Sequence, residues 1–362
     1  MNNMSDRTIV IGGGVIGLAT AVELARRGAS VDVLEKQEPG RESSWAGAGI
    51  LSLLLPWDYG NALNSLAKTS IALYPGWIDW LRGLGDTDPE YRRTGMLTLS
   101  PAGVADGRRQ AEHPVNLGLG IDIPPDAAWL PDIAQVRNPR LLNTLTEAAL
   151  TLGVRIHPDV PVTGLECRDG LVRAVISAER HWPADNVVVA AGAWSADLLG
   201  PLAHGLPVYP VRGQMLLYQA DPERLPCIVY EKQHNSGHYL VPRQDGLILA
   251  GSTLENVGFD HSTTSEAYAA LHAFATRMLP DLADQLPIRH WAGLRPGSPG
   301  NTPIIARHPD LANLYANGGH FRYGVTLAPA SAQLMADLIV GAPPAQGAHM
   351  YGWPDIISSV PV

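Results

Sequence analysis

The chain has 362 residues, 46% of them apolar and 17% charged, enough to bury a sizeable core as one large domain or two smaller ones. Its formal charge of -9 excludes a general affinity for nucleic-acid phosphates or anionic membrane surfaces. No apolar run is expected to cross a bilayer, because the greasiest piece, 50–55, is broken by Ser52 and stopped by Pro56. Cys167 and Cys227 have no spacing suited to a disulfide framework or a metal site, and the polar N-terminus lacks the parts of a secretory signal, so a reducing, cytoplasmic setting is expected.

Strand-like and helix-like stretches alternate from the start. Residues 8–11 read as a short apolar strand, 15–28 as an amphipathic helix and 30–34 as a second strand. Apolar residues recur at helical spacing over 63–84, and Gly83 and Gly85 close that helix. Residues 95–100 read as a strand leading into a polar, proline-rich excursion. A helix is expected over 140–152, ended by Gly153, with strand character resuming over 154–157. Asp169-Gly170 between 162–166 and 171–176 predicts a hairpin. The apolar run 187–191 predicts a parallel strand covered on both faces. Strands over 215–218, 238–242 and 247–250, with one helix near 266–279, predict a mostly antiparallel region. A strand over 314–317, a glycine-rich loop and a helix from 327 to 340 follow. The pattern predicts an α/β protein. A Rossmann-type dinucleotide-binding domain (1–85, 145–205 and 293–362) carries an inserted, antiparallel β-rich substrate-binding domain (86–144 and 206–292).

Gly12-Gly13-Gly14-Val15-Ile16-Gly17 follows a strand and opens a helix, the context that gives this motif its meaning. Gly12 permits the turn, Gly14 lets backbone approach a pyrophosphate, and Gly17 lets the helix pack on the strand. Val15 and Ile16 share that turn and are expected cofactor contacts. The phosphates would sit on the free N–H groups and positive end of the helix. Glu35, followed by Lys36, ends the second strand, where a carboxylate accepts from ribose hydroxyls and disfavours a 2′-phosphate. NADP is excluded on that ground; NAD and FAD both remain open.

The order GGGVIGLATAVELARRG, VDVLEK, then GRESSWAGAGI resembles the opening of the D-amino acid oxidase family, in particular the glycine oxidases associated with thiamine biosynthesis. The resemblance implies FAD, with Ser43, Ser44, Ala46, Gly47 and Gly49 returning to the pyrophosphate and passing beside the flavin. Gly192 and Trp194, in the stretch AAGAWS, resemble a further cofactor contact. Val162 resembles the residue whose backbone reads the adenine edge, although an edge-strand valine explains it equally. Gly319, His320, Phe321, Arg322, Tyr323 and Gly324, after Gly318, resemble the loop that passes the flavin ring. No cysteine follows Cys227, so the FAD is expected to be non-covalent.

An α-amino acid substrate needs a cation for its carboxylate, and the planar fork of arginine is the best clamp. Arg295 in WAGLRPGSP resembles the family's carboxylate-binding arginine, Arg322 a second active-site arginine, and Tyr239 in HYLVPR the tyrosine that adds a hydroxyl to the clamp. Arg212 also looks family-like and reads as structural. His320 is open between a base and a loop-shaping residue. Tyr323, Thr326 and Leu254 depart from the usual asparagine, aliphatic residue and methionine, which leaves the substrate's size range open.

The resemblance implies an oxidase that converts glycine, N-methylglycine or small D-amino acids to the keto acid, ammonia and hydrogen peroxide. Molecular oxygen would be the acceptor, and a homo-oligomer is expected. A D-amino acid dehydrogenase passing electrons to another acceptor is the alternative. A flavoprotein without catalysis is opposed by the arginine and tyrosine positions, and a tRNA-modifying fusion has no basic surface to support it.

Overall fold

The first strand, β1 (Arg7–Ile11), is followed by α1 (Val15–Arg26) and β2 (Ser30–Leu34). Then come α2 (Asn61–Arg82), β3 (Met96–Thr98), β4 (Ala128–Leu130) and α3 (Asn138–Thr151). Strands β5 (Arg155–His157), β6 (Val162–Arg168), β7 (Leu171–Ser177) and β8 (Asn186–Val189) follow. The next group is β9 (Tyr209–Gln219), β10 (Ile228–Lys232), β11 (Gly237–Pro242), β12 (Leu247–Gly251) and α4 (Ser265–Met278). The chain continues through β13 (Arg289–Gly297), β14 (Ile304–Arg307), β15 (Leu314–Gly318) and α5 (Gly324–Val340). This computed structural model describes residues 6–99, 117–178, 180–232, 237–343 and 347–353; most of the expected proline-rich excursion lies outside them.

The first sheet runs β14-β15-β8-β1-β2-β5, parallel except for the antiparallel β14–β15 pair. Strand β8 is buried along its whole length, as the apolar run at 187–191 predicts, and β1 and β2 are buried after their first residues. Helices α1, α2, α3 and α5 cover one face, and β6, β7 and strand His181–Pro183 lie over the other. The β6–β7 turn has positive φ at both Asp169 and Gly170, as an Asp-Gly hairpin requires. The second sheet runs β13-β9-β12-β11-β10-β3-β4, antiparallel but for β10–β3, and packs α4 on one face.

Three expectations need correction. The C-terminal helix starts at Gly324, three residues before 327, after a 3-10 turn at Phe321–Tyr323. The run Phe321–Val340 is therefore long and apolar enough to cross a membrane by length and composition, with mean hydropathy 1.2, contrary to the expectation that no run is. The shorter helix hid it. Here 67% of its most apolar 18-residue stretch is buried, with α5 packed on α1 and α2. The expected domain boundary at 144/145 falls inside α3, whose Leu141, Leu145 and Ala148 belong to the core beneath α1. We propose a division before Asn138, with β13, shared between the sheet and the loop after it, as the return crossing.

Asp32, in the apolar strand β2, is the one acid buried in the first sheet's ladder. Burial alone would push its carboxyl up, but hydrogen bonds from Arg155, His157 and Arg7 hold it well below the usual carboxylate range. Its stabilisation is therefore present above the unfolded value near 3.8 and is lost as pH falls below it. Asp32→Ala should lower stability by about 2 kcal/mol in urea unfolding at pH 7, because it strands Arg7, Arg155 and His157, which are only partly exposed. That deficit should shrink below pH 4.

Candidate active site

A cavity of about 510 Å³ opens where β1, β8 and β15 end and α1 and α5 begin, the crevice position expected of an open α/β sheet. Its opposite wall is β9, β11 and β13 of the second sheet. At one end Gly12 N–H donates to the Leu34 carbonyl at 2.8 Å, closing the turn. A Cβ on Gly17 would sit 1.8 Å from the Gly12 carbonyl oxygen, so only glycine allows this crossing. Val15 N–H donates to Ser44 Oγ at 3.0 Å, which places the Ser43–Ala46 turn against the positive end of α1. Glu35 accepts from Gly13 N–H at 2.7 Å and Gln37 N–H at 3.1 Å. Lys36 Nζ pairs with Glu42 at 2.8 Å and lies 3.3 Å above the Trp194 ring.

The far end is arginine-rich. Arg295 Nη2 donates to Ser252 Oγ at 2.8 Å and Nη1 to the Thr253 carbonyl at 3.1 Å. The guanidinium lies over Gly213, where a Cβ would approach Nη1 to 2.1 Å. Burial pulls Arg295 down from its ordinary value, Tyr239 partly offsets this, and the like charge of Arg322 adds to it. Among the described residues no carboxylate pairs with Arg295, and Arg322, 5.3 Å from the Phe321 ring, has neither a hydrogen bond nor an ion pair. Tyr239 is buried beside Met215, whose sulfur lies 4.0 Å from its hydroxyl.

Of the sequence-predicted residues, Gly12, Gly14, Val15, Ile16, Glu35, Lys36, Ser43, Ser44, Ala46, Gly47, Gly49, Val162, Gly192, Trp194, Tyr239, Arg295 and the loop 320–324 all line this one cavity. Gly17 and Gly319 do not line it. Gly17 is consumed by helix packing, and the Gly319 carbonyl accepts from Ser298 Oγ at 2.6 Å. His320 is fully buried with Nε2 against Ser331 Oγ at 2.9 Å, and burial pulls it to about 3. It shapes the loop and is too weak a base to take a proton near neutrality. Arg212 is an ion-paired, buried residue that does not line the cavity, as its structural reading expects.

Gly213, Ser252, Thr253 and Met215, together with two buried asparagines, Asn138 and Asn317, were missed from sequence. Their roles arise from cross-strand contacts; Gly213 stood next to Arg212, and Met215 and Asn317 stood in expected strands, but nothing local marked any of them as facing a site.

The sequence matches the model of the FAD dependent oxidoreductase family over residues 7–338. This chain belongs to the FAD-dependent oxidoreductase family. Within that family it is 42% identical to a glycine oxidase of Pseudomonas putida over 94% of this chain and 96% of that protein. The crystal structure of glycine oxidase from Geobacillus kaustophilus superposes with a TM-score of 0.85 at 26% identity, covering 97% of this chain and 99% of that one. The L-proline dehydrogenase of P. horikoshii shares the fold, with a TM-score of 0.83 at 22% identity over 96% and 97% of the two chains.

FAD is the cofactor of this oxidoreductase, and the cavity suits it. The two helix N-termini, at Val15 and Gly324, both border it. Gly192, at φ +57°, has open space where a Cβ would stand. Asn138 Oδ1 and Asn317 Oδ1 are buried acceptors without a partner among the described residues, and both residues line the wall. A ligand with phosphates, hydroxyls and ring N–H groups matches those donors and acceptors.

Proposed function

We propose that the chain is an amino acid oxidase of the glycine oxidase type. It would act on glycine, N-methylglycine and small D-amino acids with oxygen, releasing the 2-oxo acid, ammonia or methylamine, and hydrogen peroxide. The observation that carries this reading is the unpaired Arg295 guanidinium facing the cavity beside Tyr239 and Arg322. A cation kept free of carboxylates in a partly buried site is a site for an anion, and two parallel donors match a carboxylate.

The chemistry supplied by bound FAD is acceptance of a hydride from the substrate Cα and return of the electrons to oxygen. Arg295 and the Tyr239 hydroxyl fix the carboxylate, and Arg322 adds positive potential. Ile50, Leu54, Met215 and Leu254 form an apolar wall that limits side-chain size and excludes water. No protein base is needed when the amine enters unprotonated, which agrees with the disabled His320. Thiamine biosynthesis is the pathway the family resemblance implies, and a cytoplasmic location goes with it.

Aerobic assays with glycine, N-methylglycine and D-alanine should yield peroxide in step with oxygen use. Turnover with a quinone acceptor and none with oxygen would instead select the dehydrogenase reading. Gly213→Ala should raise KM for glycine by about 10-fold or more while flavin stays bound, because the new methyl displaces the arginine from its bed; steady-state kinetics check this.

A further inference from the structure

Arg295 has an acidic neighbour with which it does not pair. Glu255 lies near enough to favour the charged form of Arg295, but its carboxylate is fully engaged elsewhere. Its Oε2 accepts from Arg212 Nε at 3.0 Å and Nη2 at 2.5 Å. Its Oε1 accepts from Gln214 Nε2 at 2.9 Å and from the Thr253 hydroxyl. Arg212 is 4% exposed, and its Nη1 reaches Asp260 at 2.6 Å and Ser262 at 3.2 Å. The two backbones also bridge, Arg212 N–H to the Glu255 carbonyl at 2.9 Å and Glu255 N–H to the Arg212 carbonyl at 3.0 Å.

The same short segments cradle Arg295. Its Nη1 donates to the Thr253 carbonyl at 3.1 Å and approaches the Arg212 carbonyl at 3.4 Å. One arginine is thus saturated with acid while the other, held by the backbone of the same residues, has none. A half-buried carboxylate stripped of its cation turns to the nearest unpaired one, since leaving it alone is costly. Here that cation would be Arg295, and a paired Arg295 has little left for a substrate.

We infer that Arg212 is a positioning residue for substrate binding: its two-bond grip on Glu255 keeps that carboxylate off Arg295 and leaves the Arg295 charge for the substrate's carboxylate. The inference rests on the role given above to Arg295. Asp260, on an exposed turn, steadies the far side of the Arg212 fork.

The test is acetate binding to the flavin-loaded enzyme, read from the flavin absorbance spectrum, which needs no turnover. R212M should weaken acetate by about 10-fold or more, whereas E255Q alone should stay within about threefold of wild type. The double variant R212M/E255Q should recover to within about threefold of wild type, because it lacks the competing carboxylate. A purely structural Arg212 would not be rescued this way. If R212M does not fold, R212K takes its place; it keeps a cation but loses the fork. It should weaken acetate by about threefold, with recovery in R212K/E255Q. Wild-type affinity in R212M, or in R212K where it takes its place, or a double variant as weak as that arginine variant, overturns the inference. If wild type binds acetate and R295A does not, the reading of Arg295 survives that failure. If wild type shows no acetate binding, both fall.

Discussion

Arg295→Ala raises KM for glycine by about 10²- to 10⁴-fold with FAD still bound, since two charge-assisted hydrogen bonds to a carboxylate are lost at about 1.5–3 kcal/mol each. The effect should be confined to substrate binding because the guanidinium of Arg295 meets Ser252, the Thr253 carbonyl and Gly213, and makes no hydrogen bond to the Gly12–Gly17 turn or to Ser44. Its neighbours Ser252 and Thr253, just after β12, keep their places, so flavin content and melting temperature should change little. Steady-state kinetics with the flavin spectrum of the same sample check both halves. An unchanged KM would remove Arg295 from the site.

Gly17→Val acts at the opposite end and should abolish cofactor binding. Even a methyl at this position would lie 1.8 Å from the Gly12 carbonyl oxygen, a backbone atom that cannot step aside without opening the turn closed by Gly12 N–H on Leu34. Displacing α1 by the needed distance also moves Val15, whose N–H meets Ser44. The expected product is a colourless protein with little or no flavin after purification, or none that is soluble. A yellow protein with wild-type flavin content would show that the close helix–strand crossing is dispensable.

The nucleotide half was readable because its constraints are local. Three glycines at fixed spacing, an apolar strand on each side and an acid at the end of the second each answer to a backbone or charge requirement within about thirty residues. The hairpin at Asp169-Gly170 was readable for the same reason. The residues proposed to bind substrate, Arg295, Arg322 and Tyr239, came from motif resemblance, and one cavity gathers all three.

What escaped is what crosses between strands. Gly213 faces Gly293 in the β9–β13 register, and Met215 pairs with both Trp291 and Gly251, so the bed under Arg295 comes from segments some 40 to 80 positions away. The start of α5 escaped because Gly318, Gly319 and Gly324 read as one loop running on to 327, whereas Phe321, at φ +47°, begins a 3-10 turn and Gly324 already opens the helix. Asp32 would be misjudged from its strand alone, since Arg155 and His157 reach it from β5.

The most direct test of the account is anaerobic titration of the flavin-loaded enzyme with glycine, followed by admission of air. The account predicts that the yellow absorbance bleaches on adding glycine and returns with oxygen, one hydrogen peroxide appearing for each glycine consumed. A flavin that glycine, N-methylglycine and D-alanine all leave oxidised would contradict it.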